Sequence, residues 1–283
     1  MLERRKRVLI RGIPDVRTAL RDPMSVSSRR RTFHRMAAEL DDPYDWDNRV
    51  EAWEEVAATD AFVTLRDAVC TAAAVSAEER VLDLGAGGGL VALALAPQVA
   101  RVTAADISPA MLNRLEEHAA DRGIGNVDTV VADMRVLPFD DHSFDVVVSN
   151  YAFHHLVDAD KALALSEARR VLRPGGRLVV CDMMFSLSLQ PRDRKLLAEK
   201  VIAIAKRGPS GLLRIFRNAG RVATGAWEHP ATPEAWEEML ADRRFENVHV
   251  ELLVSEAGLA LARRPPLAAA VGAAGVEPAT PRV

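Results

Sequence analysis

Arg80-Val81-Leu82-Asp83-Leu84-Gly85-Ala86-Gly87-Gly88-Gly89-Leu90-Val91-Ala92-Leu93-Ala94-Leu95 is the stretch on which the reading of the whole chain depends. Val81, Leu82 and Leu84 make a short apolar run that predicts a buried strand. The glycine cluster breaks it, and the Leu/Val/Ala run that follows predicts a helix over 89–96, stopped by Pro97. Strand, glycine turn and helix together make a nucleotide-binding α/β unit. Glycine lets the backbone pass close to a ligand, and the helix N-terminus presents free N–H groups to the ligand's polar end. The dinucleotide fingerprint G-x-G-x-x-G fails here, because Leu90 stands where its last glycine belongs. The pattern that fits is D-x-G-x-G-x-G, carried by Asp83, Gly85, Gly87 and Gly89. A carboxylate just ahead of the glycines would repel a pyrophosphate. It suits a ligand whose near end is an amino acid with an ammonium group.

Outward from this stretch, apolar runs and helical patterns alternate regularly from 80 to 183. Further strands are expected at Arg101–Ala105, Val127–Ala132, Phe144–Ser149 and Arg177–Cys181. The Val146-Val147-Val148 run suits a strand covered on both faces. Pro109–Arg122 reads as a helix with Ser108 as cap, Pro109 at its first position and Gly123 as its stop. Another helix spans about Ala159–Leu172, before the turn Arg173-Pro174-Gly175-Gly176. Repeated βα units predict a Rossmann-like, doubly wound α/β fold with a mostly parallel sheet and right-handed crossovers.

Residues 184–230 interrupt the pattern and read as a helical cap insertion, with helices expected at Pro191–Lys206 and Leu212–Val222. Pro233–Asp242 returns to helix. Val248–Val254 and Leu259–Ala262 then flank Ser255-Glu256-Ala257-Gly258 as a hairpin. Ahead of the sheet, Asp47 or Asn48 caps a helix that shows Val50, Trp53 and Ala57 on one face, and Asp60 opens a second with Ala61, Leu65 and Val69. Tyr44 and Trp46, in the acidic turn before them, either anchor this helix to the core or form a lid over the site.

Ligands of such folds bind beyond the carboxyl ends of the parallel strands. Four polar residues fall at those ends: Asp83, Asp106, Asp133 and Asn150. Asp106 follows Gly85 at the spacing where an acid reaches ribose hydroxyls. One such residue is ordinary at a strand end. Four in order, at the spacing of βα units, point to a site.

These positions carry a family resemblance. Asp83 with its glycines, Asp106-Ile107-Ser108, Ala132-Asp133-Met134, Leu137-Pro138-Phe139, Phe144-Asp145-Val146-Val147 and Arg170-Val171-Leu172-Arg173-Pro174-Gly175-Gly176 resemble the successive motifs of class I S-adenosylmethionine (AdoMet)-dependent methyltransferases. In style they are similar to the small-molecule C-methyltransferases of ubiquinone and menaquinone biosynthesis. The resemblance is strong over 78–183, weak over 184–263 and absent at both tails. It implies a seven-stranded sheet with an antiparallel last strand, a methyltransferase domain over 41–264, and AdoMet as cofactor. The cofactor-binding set it implies is Asp83, Gly85, Ala86, Gly87, Gly89, Asp106, Ile107, Asp133, Met134 and Asn150. In that set the glycines admit the methionine part and Asp83 holds its amino-acid end, directly or through water. Asp106 accepts the ribose hydroxyls, Ile107 packs on adenine, Asp133 accepts the adenine amine and the Met134 N–H meets the ring. Asn150 and Tyr151 line the sulfonium and its methyl.

Such a methyl is already activated, so the protein chiefly has to align a nucleophile with it and exclude water; positioning supplies ~7–11 kcal/mol. A base is needed only where the acceptor must lose a proton. His154 and His155 suit that task and Tyr151 stands beside them, while Asp182 at the end of the fifth strand is a further candidate. The histidine pair could equally serve packing. Asn150-Tyr151-Ala152-Phe153 lacks the proline pair of the enzymes that methylate nucleic-acid amines, which favours a small organic acceptor over nucleic acid.

The chain has 283 residues, 49% of them hydrophobic, enough for one large domain with appendages. The net charge of −3 hides an asymmetry: residues 1–35 hold eleven Lys/Arg against three acids, leaving −11 for the remainder. Residues 1–40 read as a basic, disordered arm, or as sequence upstream of a start nearer Met24 or Met36; residues 265–283, rich in Pro, Ala and Gly, read as a disordered tail. No apolar run reaches the ~18–20 residues of a membrane span and no signal peptide is visible, so a cytoplasmic protein is expected. Two cysteines, Cys70 and Cys181, predict neither a disulfide framework nor a zinc site, and no metal-binding spacing is found. Two other readings stand beside the small-molecule enzyme. One is an RNA methyltransferase anchored by the basic arm. The other is a non-catalytic AdoMet- or ligand-binding regulator on the same fold.

Overall fold

The computed structural model describes residues 45–185, 229–253 and 256–267, together with Ile202. The basic arm, Tyr44, the two helices expected in the 184–230 insertion (Ile202 apart) and the tail beyond 267 lie outside the described residues. Helices α1 (Val50–Ala57) and α2 (Asp60–Ala73) lead into β1 (Arg80–Leu84), α3 (Ala92–Leu95), β2 (Arg101–Asp106), α4 (Pro109–Asp121) and β3 (Val127–Val131). Then follow β4 (Phe144–Asn150), α5 (Asp158–Val171), β5 (Leu172–Met183), α6 (Pro233–Asp242), β6 (Glu246–Leu252) and β7 (Ala257–Arg263). All seven strands form one sheet in the order β3-β2-β1-β4-β5-β7-β6. The first five are parallel, and β7 runs antiparallel to both neighbours, as expected for this fold.

The period-2 geometry of a strand sends alternate side chains to opposite faces, and both faces are covered here. Leu82, Leu84, Val147, Leu178 and Val180 meet α5 and α6 through Leu165, Ala168, Trp236 and Leu240. Val81, Val146, Val148, Val179 and Cys181 meet α2 and α4 through Leu65, Val69, Leu112 and Leu115. All seven residues of β4 are buried, which is why that segment reads as a bare apolar run. Helix α4 begins as its sequence predicts: the Ser108 hydroxyl accepts the Met111 N–H at 3.1 Å and Pro109 takes the first position. Among the described residues no helix is long and apolar enough to cross a membrane.

Three boundaries differ from expectation. The helix expected over 89–96 shrinks to α3 followed by a 3-10 turn at Ala96–Gln98, because Gly89 at φ 89° still belongs to the turn. Strand β5 begins at Leu172, not Arg177: Leu172 pairs with Phe144 and Arg177 with Val146, so the Arg173–Gly176 segment bulges within a continuing strand. That bulge is stitched to the residue after β7, since Gly175 N–H donates to the Arg264 carbonyl (3.0 Å) and Arg264 N–H to the Gly176 carbonyl (2.9 Å). The expected hairpin turn is also shorter, because Ala257 and Gly258 are already strand, paired with Met183 and Asp182.

One buried cation ties the loop after β4 to the segment that precedes α6. Lys161, fully buried on α5, donates to the Leu156 carbonyl at 2.9 Å, the His229 carbonyl at 2.5 Å and Asp158 Oδ1 at 2.9 Å. His229 N–H in turn donates to the His154 carbonyl at 2.7 Å. The loop after β4 and the returning segment are thus held to each other through one side chain. A buried carbonyl that loses such a donor costs roughly 1–3 kcal/mol.

Candidate active site

Strand order reverses between β1 and β4, and the carboxyl ends of the parallel strands surround a cleft of about 240 Å³ at that point. Gly85 and Gly87 line it after β1, Asp106 and Ile107 after β2, Asp133, Met134 and Arg135 after β3, and Tyr151, Ala152 and His155 after β4. Asp83, Ala86, Gly89, Asn150 and His154, also expected at the site, do not line the cleft; they stand behind its wall.

The glycine turn explains part of this division. Gly85, Gly87 and Gly89 all have positive φ, at 69°, 51° and 89°. A Cβ on Gly85 would fall 2.4 Å from the Ala152 Cβ, so that glycine lets the ends of β1 and β4 close together. A Cβ on Gly89 would fall 2.7 Å from Leu115 Cγ, so Gly89 seats the turn on α4 and does not face the cleft. Gly87 does face it, and a Cβ there would come within 3.3 Å of Trp53 Nε1. The turn is held by Asp106, whose Oδ2 accepts the Gly87 N–H at 2.8 Å and whose Oδ1 accepts the Ser108 N–H at 2.9 Å.

Asp83 lies beneath the turn, 1% exposed. Burial pushes its carboxyl up from the ordinary value of 3.8 to about 7; the Ala92 N–H pulls the other way and the Asp106 charge adds to the rise. Its Oδ2 and the Oδ1 of Asn150, at the end of neighbouring β4, have no hydrogen-bond donor among the described residues. Two orphaned acceptors under a glycine cradle fit a ligand that brings N–H donors, which the amino group of AdoMet does.

The two histidines after β4 part company. His154 is buried, with Nδ1 2.6 Å from Asp182 Oδ1 and its backbone N–H on Asp182 Oδ2 at 3.1 Å. The carboxylate fixes the proton on Nδ1 and leaves the Nε2 lone pair as the basic atom. His155 lines the cleft instead, its ring 5.0 Å from Trp46 and 4.0 Å from His154. Tyr151, between strand and histidines, is a non-glycine residue at φ 57°, a strained conformation of the kind found at functional sites.

The N-terminal segment completes the wall. Asp47 accepts the Ser108 hydroxyl at 2.6 Å and the Ala110 N–H at 3.3 Å, while Glu54 on α1 lies 3.2 Å from Arg114 and 3.0 Å from His118 of α4. Pinned at these points, the segment brings Trp46 and Trp53 over the glycine turn. Trp46, Trp53, Phe62, Tyr151, His154 and His155 then form a closed circuit of ring contacts, each 4.0–6.1 Å from the next. Trp53 reads from sequence as a helix-face residue, and Arg135 and Asp160 carry no signal at all; each reaches the cleft only through the fold. Among the described residues no cluster of side chains could hold a metal ion.

Comparison with known proteins places this arrangement. The family described as "Methyltransferase domain" matches residues 82–180. A demethylmenaquinone methyltransferase of Clavibacter sepedonicus is 38% identical over 176 residues, covering 60% of this chain and 68% of the relative. A ubiquinone/menaquinone biosynthesis C-methyltransferase of Serratia proteamaculans is 42% identical over 108 residues, 37% of this chain and 42% of that protein. Among solved structures, the YcgJ protein of Bacillus subtilis superposes with a TM-score of 0.52 at 20% identity, over 71% of this chain and 98% of that one, a likeness of fold. The strand order, the glycine turn and a relative matched over two thirds of its length agree, and the chain belongs to the class I AdoMet-dependent methyltransferases.

Proposed function

We propose that the protein transfers the AdoMet methyl group to a small organic acceptor that presents a flat ring. The division of the cleft into two chemistries supports this most. Acids gather at the β2 and β3 ends, where a nucleoside would lie, and aromatic rings gather around the glycine turn. The relatives named for menaquinone and ubiquinone biosynthesis point to a ring acceptor, and edge-to-face packing in the circuit suits one. When bound, AdoMet supplies a methyl group activated on a sulfonium.

The chain's residues would divide the remaining work. Asp106 accepts the ribose hydroxyls, Ile107 packs on the adenine, Asp133 accepts its amine and the Met134 N–H meets its edge. Gly85 and Gly87 admit the methionine part, with Ala86 and Gly89 shaping their turn, and Asp83 and Asn150, behind the wall, hold its amino group through water. Tyr151 and His155 hold the acceptor against the methyl, and Trp46 and Trp53 keep water out. His155, the histidine that lines the cleft, takes the acceptor's proton, and His154, tied to Asp182, backs its ring. Unpaired Cys70 and Cys181, with thiols pushed up by burial to about 11 and about 12, fit the cytoplasmic location that is part of this reading.

Calorimetric titration of cofactor-stripped protein tests the cofactor, with micromolar binding of AdoMet and none of NAD as the expected result. Binding of NAD, or of neither by folded protein, would overturn the reading. The base is tested separately. With a turned-over ring acceptor, His155→Gln is expected to lower kcat ~10²–10⁴-fold while AdoMet affinity stays unchanged. Full activity in that variant would remove the base and leave His155 as a packing residue.

A further inference from the structure

His118, in the last turn of α4, does not line the cleft but touches the glycine turn from outside it. Its Nδ1 lies 3.2 Å from the Gly88 carbonyl, and its Nε2 lies 3.0 Å from Glu54 Oε1 on α1. A carbonyl only accepts, so Nδ1 is the donor to the turn. Arg114, on the same helix, lies 3.2 Å from that Glu54 oxygen and steadies the carboxylate. The rest of the turn is held from elsewhere. Gly85 and Ala86 N–H donate to the Ala105 carbonyl at 2.8 and 3.2 Å, Gly87 N–H to Asp106, and Gly89 N–H back to the Ala86 carbonyl at 3.0 Å. Asp106 thus grips the turn from the β2 side and His118 from the α4 side.

We infer that His118 is a positioning residue of the cofactor site: it pre-shapes the glycine turn by holding the Gly88 carbonyl, and Glu54 aims its ring. The inference rests on the placement of the methionine part of AdoMet at this turn. Gly87, Gly88 and Gly89 stand in a row, and glycine has the most backbone freedom to lose. Whatever ordering the protein has not already done, the ligand must supply from its own binding energy. Asp106 fixes the start of the run and leaves the peptide after Gly88 to a second anchor. Glu54 at Nε2 fixes which ring nitrogen faces that carbonyl. A surface ion pair alone would add to stability and leave affinity untouched. A grip on the turn changes affinity, and only for ligands that reach the turn.

The two nitrogens can be tested apart. The amide nitrogen of asparagine sits as many bonds from Cα as Nδ1 does, and that of glutamine as many as Nε2. His118→Asn therefore keeps a donor for Gly88 and drops Glu54, while His118→Gln does the reverse. The side chains of His118 and Glu54 are each 31% exposed, so either can be changed without opening a core. Calorimetric titration of the full chain with S-adenosylhomocysteine is expected to show the glutamine variant weakened roughly 3- to 10-fold, the size of one hydrogen bond. The asparagine variant is expected to stay within about 2-fold of the original. Glu54→Ala, which leaves the ring unaimed, is expected to fall between them. Adenosine lacks the amino-acid part, and by displacement it is expected to bind the original and every variant alike. A glutamine variant that melts earlier but binds as the original does would make His118 a surface tie and overturn the inference. So would equal weakening in the asparagine and glutamine variants, or a loss of adenosine binding that matches the loss of S-adenosylhomocysteine. A folded original protein that binds no S-adenosylhomocysteine would bring down the cofactor placement itself, a result distinct from these.

Discussion

Replacing Asp106 by alanine is expected to leave a folded protein whose affinity for AdoMet falls roughly 10- to 100-fold. Charge-assisted hydrogen bonds of the kind a ribose diol makes are worth ~1.5–3 kcal/mol, and each 1.4 kcal/mol is about a factor of ten. The structure adds a second contribution. Asp106 accepts the Gly87 N–H, so its loss also releases the turn from which Gly87 faces the cleft. Asp106→Asn separates the two effects. The amide keeps a neutral acceptor for the turn and loses the charge, so its affinity is expected to fall between the original protein and the alanine variant. The Gly87 and Ser108 N–H groups that its side chain accepts lie in the turns after β1 and β2 and outside both cores, so the sheet is expected to survive the change. Unchanged affinity in a folded Asp106→Ala variant would remove the ribose from this corner of the cleft.

Asp83→Asn is expected to stabilise the protein at pH 8 and to leave it nearly unchanged near pH 4. The Asp83 carboxyl in the folded chain titrates at about 7 against an ordinary 3.8, with burial as the main cause. A group whose folded value is raised contributes stability that is complete below its unfolded value and is lost as pH rises through the folded one. Above about pH 7 the fold therefore carries a buried charge that the unfolded chain keeps in water. At 1.36 kcal/mol per unit, the penalty is roughly 4 kcal/mol, an upper bound because water and local relaxation reduce it. Asparagine mimics the neutral acid, keeps an acceptor for the Ala92 N–H and never ionises. Thermal unfolding of both proteins from pH 4 to pH 8 checks this, and a stability difference that stays constant with pH would show that Asp83 does not titrate in that range. A residue that costs stability at neutral pH is the kind retained for a site's chemistry. In the proposed function the ammonium of AdoMet would relieve this cost.

The aromatic circuit shows how a catalytic pocket can be built from segments with separate histories in the sequence. Trp46 and Trp53 come from before the sheet, Phe62 from α2, and Tyr151, His154 and His155 from the loop after β4. What joins them is polar: Asp47 on the start of α4, Glu54 on Arg114 and His118, and the Gly88 carbonyl 3.2 Å from His118 Nδ1. Rings supply the surface and charged pairs at the perimeter set its position. Of the two aromatics expected to anchor the helix or form a lid, Tyr44 lies outside the described residues, and Trp46 packs edge-on against Trp53 and lines the cleft.

The sequence by itself determined the βα order, the faces of the strands, the glycine turn and the ring of polar residues at the strand ends. These are local properties: periodicity, caps and turn residues act within one unit, and repeated units of this kind have few ways to assemble. The tertiary structure decided which of those residues meet the ligand. Asp106 and Asp133 line the cleft, while Asp83 and Asn150 do not. It also made the pairs that define the chemistry: His154 with Asp182 across 28 residues, Arg135 with Asp160 across 25, and Asp47 with Ser108 across 61. A period-2 pattern tells which face a side chain takes but not which strand will lie beside it. Those partners are set by strand order and by packing between distant segments, and neither is written in any single stretch of the chain.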